Sequence, residues 1–180
     1  MKAPVVLVLA SGRGERFIAS GGTGSKLQAL LGGKTVLQHT LDAVRASGLP
    51  WHLEDAGHEG MGDSIAAAVR ATADAGGWLV LPGDLPLVRP ETLQAVAAGL
   101  ARHVVVVPHY RGQRGHPVGF RAECRDALTQ LAGEQGAAPV VRAQAMLNQV
   151  ISIEVEDPGI AADIDTVHDL ALARRHVVPD

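Results

Sequence analysis

An unbroken apolar run, Val5-Val6-Leu7-Val8-Leu9-Ala10, stops abruptly at Ser11-Gly12-Arg13-Gly14-Glu15-Arg16, and a lone lysine follows in Ser25-Lys26-Leu27. A short continuous apolar segment closed by glycine reads as a strand buried on both faces. A buried strand that breaks into a glycine-rich, cationic loop is a place to hold phosphates. Gly12 and Gly14 let backbone N–H groups approach an anion without a Cβ in the way, while Arg16 and Lys26 supply charge to neutralise a polyphosphate. The pattern points to nucleotide chemistry.

Two familiar phosphate loops fit the letters badly. A dinucleotide fingerprint needs a third glycine three residues after the second, where this chain has Phe17, and no clean second strand ending in an acid follows about 20 residues on. A Walker loop needs Gly-Lys followed by Ser or Thr, whereas Lys26 sits between Ser25 and Leu27. Both a nicotinamide enzyme and an ordinary P-loop ATPase are disfavoured.

The rest of the chain sets broad bounds. At 180 residues it is expected to form one domain over 1–180. A net charge of −3 offers no general attraction to nucleic acid or anionic lipid, so neither nucleic acid nor a membrane is an expected partner and any cationic function must be local. Cys124 is the only cysteine, which excludes an internal disulfide and a cysteine-rich zinc site and favours a reducing, cytoplasmic setting. No segment approaches the about 20 apolar residues of a membrane span, and residues 2–10 read as the first strand rather than a leader.

Strand and helix patterns alternate, predicting a parallel-rich α/β sheet with helices on both faces. Strands are expected at 5–10, 51–53, 78–81, 104–107, 118–120 and 151–155. Helices are expected at 35–46, 64–75 with Asp63 or Gly62 as N-cap, 90–101 with Pro90 in its first turn, 122–131 and 138–147. Thr166 and Asp169 form a capping-box pattern for a last helix running to about Arg175.

The signature Leu9-Ala10-Ser11-Gly12-Arg13-Gly14-Glu15-Arg16, followed at a distance by Lys26, resembles the nucleotidyltransferases, and within them the MobA/MocA-type molybdenum-cofactor enzymes. Matching landmarks follow in order: Glu59-Gly60-Met61-Gly62-Asp63-Ser64-Ile65, Leu81-Pro82-Gly83-Asp84-Leu85-Pro86, Arg114-Gly115-His116-Pro117 and Asp163-Ile164-Asp165-Thr166. The resemblance implies a Rossmann-like three-layer α/β/α nucleotidyltransferase fold with a mostly parallel sheet. Two departures stand out: only residues 45–50 lie where relatives place a further strand and helix, so the sheet is expected to be one βα unit shorter, and 19–24 is a glycine-rich insertion.

The resemblance implies an Mg²⁺-dependent enzyme that transfers a nucleotidyl group to a phosphorylated acceptor and releases pyrophosphate. Lys26 is assigned to the α-phosphate and Arg16 to the β- and γ-phosphates, with a cradle from Leu9, Ala10, Ser11, Gly12, Arg13 and Gly14. Gly62 and Ser64 are expected at the base and ribose, Pro82 and Gly83 among the binding residues as the turn that aims the Asp84 carboxylate outward, and His116 on the acceptor side. Asp84, at the carboxyl end of a buried strand, is the expected Mg²⁺ ligand. Asp165 either reaches the same metal or serves as an acid before a helix, where the dipole alone favours it. CTP is favoured over GTP because Ala10 stands where GTP-using relatives carry glycine; the acceptor implied is a phosphorylated pterin, with a molybdoenzyme or its maturation factor as protein partner. A sugar-phosphate nucleotidyltransferase and a non-catalytic nucleotide- or cofactor-binding accessory protein are the rival readings.

Overall fold

The computed structural model describes residues 2–177. Strand β1 (Val5–Leu9) leads into helix α1 (Glu15–Ala19), a 3₁₀ turn at Lys26–Gln28, and a small hairpin of β2 (Leu30–Leu31) and β3 (Lys34–Thr35). Then α2 (Val36–Ala46), β4 (Trp51–Glu54), α3 (Met61–Ala71), β5 (Gly77–Pro82), α4 (Pro90–Gly99) and β6 (Val105–Tyr110) alternate. The chain continues through β7 (Gln113–Arg114), β8 (Val118–Arg121), α5 (Arg125–Thr129), α6 (Ala138–Met146), β9 (Val150–Glu154), a 3₁₀ turn at Pro158–Ala161, and α7 (Val167–Ala173).

The main sheet runs β4-β1-β5-β8-β6-β7, with β9 also paired to β6. Strands β4, β1 and β5 are mutually parallel, as are β6 and β9, while β8 lies antiparallel between β5 and β6. Period-two alternation sorts the strands between two cores. Leu7, Leu9, Trp78 and Val80 face α3, α5 and α6, and Val6, Val8, Leu79 and Leu81 face α2 and α4. The mostly parallel three-layer α/β/α fold expected from the sequence is the one observed.

Local chemistry explains where several elements start. Thr35 and Gln38 form a reciprocal capping box on α2, and Thr166 with Asp169 does the same for α7. Helix α3 begins at Met61, three residues before the expected start, and its N-cap is the backbone of Gly60; neither Gly62 nor Asp63 caps it. Asp63 instead accepts a hydrogen bond from Gly133 N–H at 3.0 Å, and Gly62 N–H donates to Gly133 O at 2.8 Å. A loop distant in sequence therefore extends the helix. The expected helix at 122–131 is broken into a 3₁₀ turn and the five-residue α5, and the expected 104–107 strand continues to Tyr110 because β9 and β7 pair with its far half.

Candidate active site

Three parallel strands end level with one another: Leu9 of β1 is in register with Glu54 of β4 on one side and Pro82 of β5 on the other. With strands about 4.8 Å apart, the outer two ends stand roughly 10 Å from each other. This is the carboxyl edge, where open α/β sheets bind ligands. A cleft of ≈ 390 Å³ opens there.

The phosphate-loop candidates border it. Leu9, Ser11, Gly12, Arg13, Gly14, Arg16 and Lys26 all line the cleft, as do Ser64, Pro82, Gly83, Asp84 and Asp165. Gly14 adopts φ +63, a left-handed conformation that glycine takes without a Cβ penalty, and so turns the loop into α1. Ala10 does not line the cleft; its N–H donates to Glu54 O at 2.9 Å and fastens the loop to β4.

Asp84 is held in place through its own backbone and that of Gly83. Gly83 N–H donates to Leu9 O at 2.8 Å, Thr40 Oγ donates to Gly83 O at 2.8 Å, and Ile164 N–H donates to Asp84 O at 3.0 Å. A Cβ at position 83 would lie 2.9 Å from Leu9 O, so the close approach needs glycine. The Ile164 contact also delivers the 163–165 segment to Asp84.

An ion-pair network results. Lys26 Nζ lies 2.7 Å from Asp84 Oδ2 and 3.0 Å from Asp165 Oδ1, and Arg16 reaches Asp165 Oδ2 at 3.0 Å. Burial works against the Lys26 ammonium, but the charge and hydrogen bond of Asp84, joined by Asp165, raise its pKa above the ordinary lysine value. Burial likewise opposes the Asp165 anion, yet Lys26 and Arg16 hold its carboxyl below the usual range. Asp163 is pushed up to about 6 by partial burial and by the neighbouring Asp165 and Asp84.

Oxygens of Asp84, Asp163 and Asp165 come within 4.8 Å of one another. Asp84 Oδ1 is buried with no hydrogen-bond partner, a costly state for a carboxylate oxygen unless a cation satisfies it. Hard, anionic oxygen donors at this spacing fit a divalent ion such as Mg²⁺ or Mn²⁺. Asp163 joins the two acids predicted as ligands.

Besides Ala10, two more predicted residues sit elsewhere. Gly62 is buried against Ala132, whose backbone atoms a Cβ would meet at 2.8–2.9 Å, so it packs α3 against a loop and does not line the cleft. His116 also lies off the cleft, with its N–H donating to Ile160 O at 2.9 Å. Burial pushes its imidazole pKa down against the charge of Asp84, and Arg114 adds to the fall.

The opposite wall holds His58 and Glu134, which sequence patterning missed, together with Glu59, Gly60 and Met61 of the Glu59–Ile65 landmark, to which the sequence reading gives no role in the site. Glu54, 8% exposed, accepts from His58 Nε2 at 3.0 Å and His52 Nε2 at 3.1 Å. Burial disfavours its anion, but these hydrogen bonds and one from Ala56 N–H hold its carboxyl below the usual range. The period-two spacing of His52 and Glu54 was the one available signal.

Comparison with known proteins places this geometry in a lineage. The chain is 32% identical over 171 residues to the bifunctional protein GlmU of Halorhodospira halophila, a match that takes in 79% of this chain and 34% of that protein. It is 34% identical over 115 residues to GlmU of Alkalilimnicola ehrlichii, covering 52% and 24%. The chain thus spans about a third or less of these curated relatives. Among solved structures, Rv0371c of Mycobacterium tuberculosis superposes with a TM-score of 0.80 at 23% identity, covering 97% of this chain and 98% of that one. A second structure of Rv0371c is a complex with manganese, with a TM-score of 0.77 at 22% identity over 97% of this chain and 100% of that one. Molybdopterin-guanine dinucleotide biosynthesis protein A of Archaeoglobus fulgidus gives 0.64 at 20% identity over 96% and 97%. Rv0371c is covered almost end to end, so the fold of this chain is shared with it throughout. The family model described as MobA-like NTP transferase domain matches residues 42–149, more than half of the chain, and on that match the chain belongs to the MobA-like NTP transferase domain family.

Proposed function

We propose that the protein transfers a nucleotidyl group, CMP from CTP, to a phosphorylated acceptor and releases pyrophosphate. The observation that carries this reading is the meeting of Lys26 and Arg16 with Asp84 and Asp165 at one end of a cleft bordered by the glycine loop. Membership of the family supports a nucleoside triphosphate as substrate.

Nucleotidyl transfer asks the protein mainly for alignment and charge neutralisation. Lys26 would move from the carboxylates to the α-phosphate and offset the negative charge that develops there, and Arg16 would take the departing β- and γ-phosphates. An acceptor phosphate monoester, with a second pKa near 6, is already an oxyanion at neutral pH. The attacking oxygen therefore needs no general base, in keeping with the pairing of Asp84 and Asp165 with Lys26 and Arg16. Asp84, Asp163 and Asp165 would hold a divalent cation, which when bound would supply positive charge to offset that of the polyphosphate.

CTP rests on the Leu9-Ala10-Ser11-Gly12 run. The acceptor we favour is molybdopterin, with a molybdoenzyme or its maturation factor receiving the product; likeness to the Archaeoglobus protein supports it through the fold. A sugar phosphate is the second reading, favoured by the GlmU relatives. A cytoplasmic location belongs to the proposal and rests on the single, buried Cys124; no helix among the described residues is long and apolar enough to cross a membrane.

The test is pyrophosphate release with each of CTP, GTP, ATP and UTP, Mg²⁺, and either molybdopterin or a panel of sugar 1-phosphates. Release with CTP and the pterin, lost in Asp84→Ala, is the expected result. Release with a sugar phosphate alone selects the second reading, and binding of nucleotide without release from any acceptor selects a non-catalytic binding protein.

A further inference from the structure

Lys26 occupies the place a cation would need. Its ammonium is within hydrogen-bond distance of both Asp84 Oδ2 and Asp165 Oδ1, two of the three acids able to hold a divalent ion, and Arg16 covers the other oxygen of Asp165. The lysine is itself well enclosed, with its side chain 13% exposed. A monovalent ammonium and a divalent ion bridging the same carboxylates would stand a few ångströms apart in a partly desolvated site, where like charges repel strongly.

We infer that Lys26 and the divalent cation compete for the same carboxylates, so that the site takes up the cation as its complex with a nucleoside triphosphate and rejects the free ion. The polyphosphate supplies the exchange. It offers Lys26 and Arg16 anionic oxygens to replace Asp84 and Asp165, and the freed carboxylates then turn to the incoming ion. Asp84 Oδ1, buried and unpartnered, is the oxygen that the ammonium leaves unsatisfied and the cation would satisfy. Because linkage is reciprocal, the cation must tighten nucleotide binding by the factor by which nucleotide tightens the cation. Ser25 and Leu27 keep the lysine in reach: the Ser25 hydroxyl accepts from Leu27 N–H at 3.3 Å, and buried Leu27 anchors the 3₁₀ turn. The inference rests on the nucleotidyltransferase reading only for the identity of the displacing polyphosphate.

The experiment is a Mn²⁺ titration of the full chain without nucleotide, followed by the electron paramagnetic resonance signal of the free ion. Lys26→Met is expected to bind Mn²⁺ at least tenfold tighter than wild type, and Lys26→Met combined with Asp84→Asn to lose that gain. Lys26→Gln, which removes the charge but keeps a donor for Asp84, carries the same expectation should Lys26→Met fail to fold. Mn²⁺ affinity equal to or below wild type in a folded Lys26 variant overturns the competition. Nucleotide binding by the wild type in Mg²⁺, measured separately, judges the functional reading: its absence would sink that reading while the Mn²⁺ comparison still decides this one.

Discussion

Replacing Lys26 with methionine in metal-free buffer isolates the energetics of the ion-pair network. Methionine matches the length of the lysine stem, so packing against Gly14 is retained and the loss is confined to charge. The two carboxylates do not suffer equally. Asp165 keeps Arg16 at 3.0 Å, whereas Asp84 loses the only side-chain partner that Oδ2 has among the described residues, and Oδ1 has none among them. Removing one member of a buried pair costs about 3–5 kcal/mol. Because these side chains are 13–21% exposed and one carboxylate remains paired, we place the cost at about 2–3 kcal/mol. For a chain of this size that corresponds to a fall of about 5–10 °C in Tm. Urea unfolding followed by circular dichroism, in EDTA at pH 7, measures it.

The pH dependence carries the sign. The raised pKa of Lys26 means that its contribution in the wild type is fully present below the unfolded lysine value and is lost only as pH rises through the folded one, in the alkaline range. Its partner Asp165, with a lowered pKa, contributes above the unfolded aspartate value and loses that contribution as pH falls through the folded one. The destabilisation of Lys26→Met should therefore persist through neutral pH and shrink on acidification below about pH 4, where protonated carboxyls no longer need a counter-charge. A variant as stable as wild type at pH 7 in EDTA would refute the reasoning, since it would mean that water alone compensates Asp84.

Asp163→Asn should stabilise the metal-free protein at pH 7 and leave it unchanged near pH 4, because a carboxyl raised to about 6 favours the folded state only while protonated; thermal melts in EDTA at the two pH values check this. With nucleotide seated in the cleft as proposed and His58 on its wall as one of the contacts, Glu54→Gln should raise the nucleotide KM about tenfold with kcat within about twofold, since removing one charge-assisted anchor of His58 would weaken binding by about 1–1.5 kcal/mol in ground and transition states alike. Steady-state kinetics test it, and a fall in kcat at constant KM would contradict it. Gly62→Ala sets a helix-propensity gain of at most about 1 kcal/mol against overpacking of about 1–3 kcal/mol. The three nearest atoms a Cβ would meet there all belong to the Ala132 backbone, so the clash wins and denaturant melts should show a net loss of about 1–2 kcal/mol.

Much of the fold was legible from local pattern. Val6, Leu7 and Val8 are fully buried as their continuous apolar run implied, the Thr166–Asp169 pair marked one helix start through contacts that span a single turn, and Pro90 marked another through its fixed φ. The start of α3 was misplaced because a backbone partner at Gly133 sets it. The phosphate loop, Lys26 and the acid after β5 were visible as residue types in suitable company. Glu54 was not, since its importance arises only when β4 pairs with β1 and brings His58 to the wall of the cleft.

The sequence by itself determined the alternation of buried strands and capped helices, because periodicity and capping act between residues two to four apart. It also determined the supply of cations and acids at strand ends. Only the tertiary structure decided that Lys26 meets Asp165, 139 residues away, that Ile164 binds the backbone of Asp84, and that one oxygen of Asp84 is left buried without a partner. Those contacts depend on how the 163–165 segment packs against the edge of β5, and the energy of a charge depends on the neighbours and water that packing leaves it.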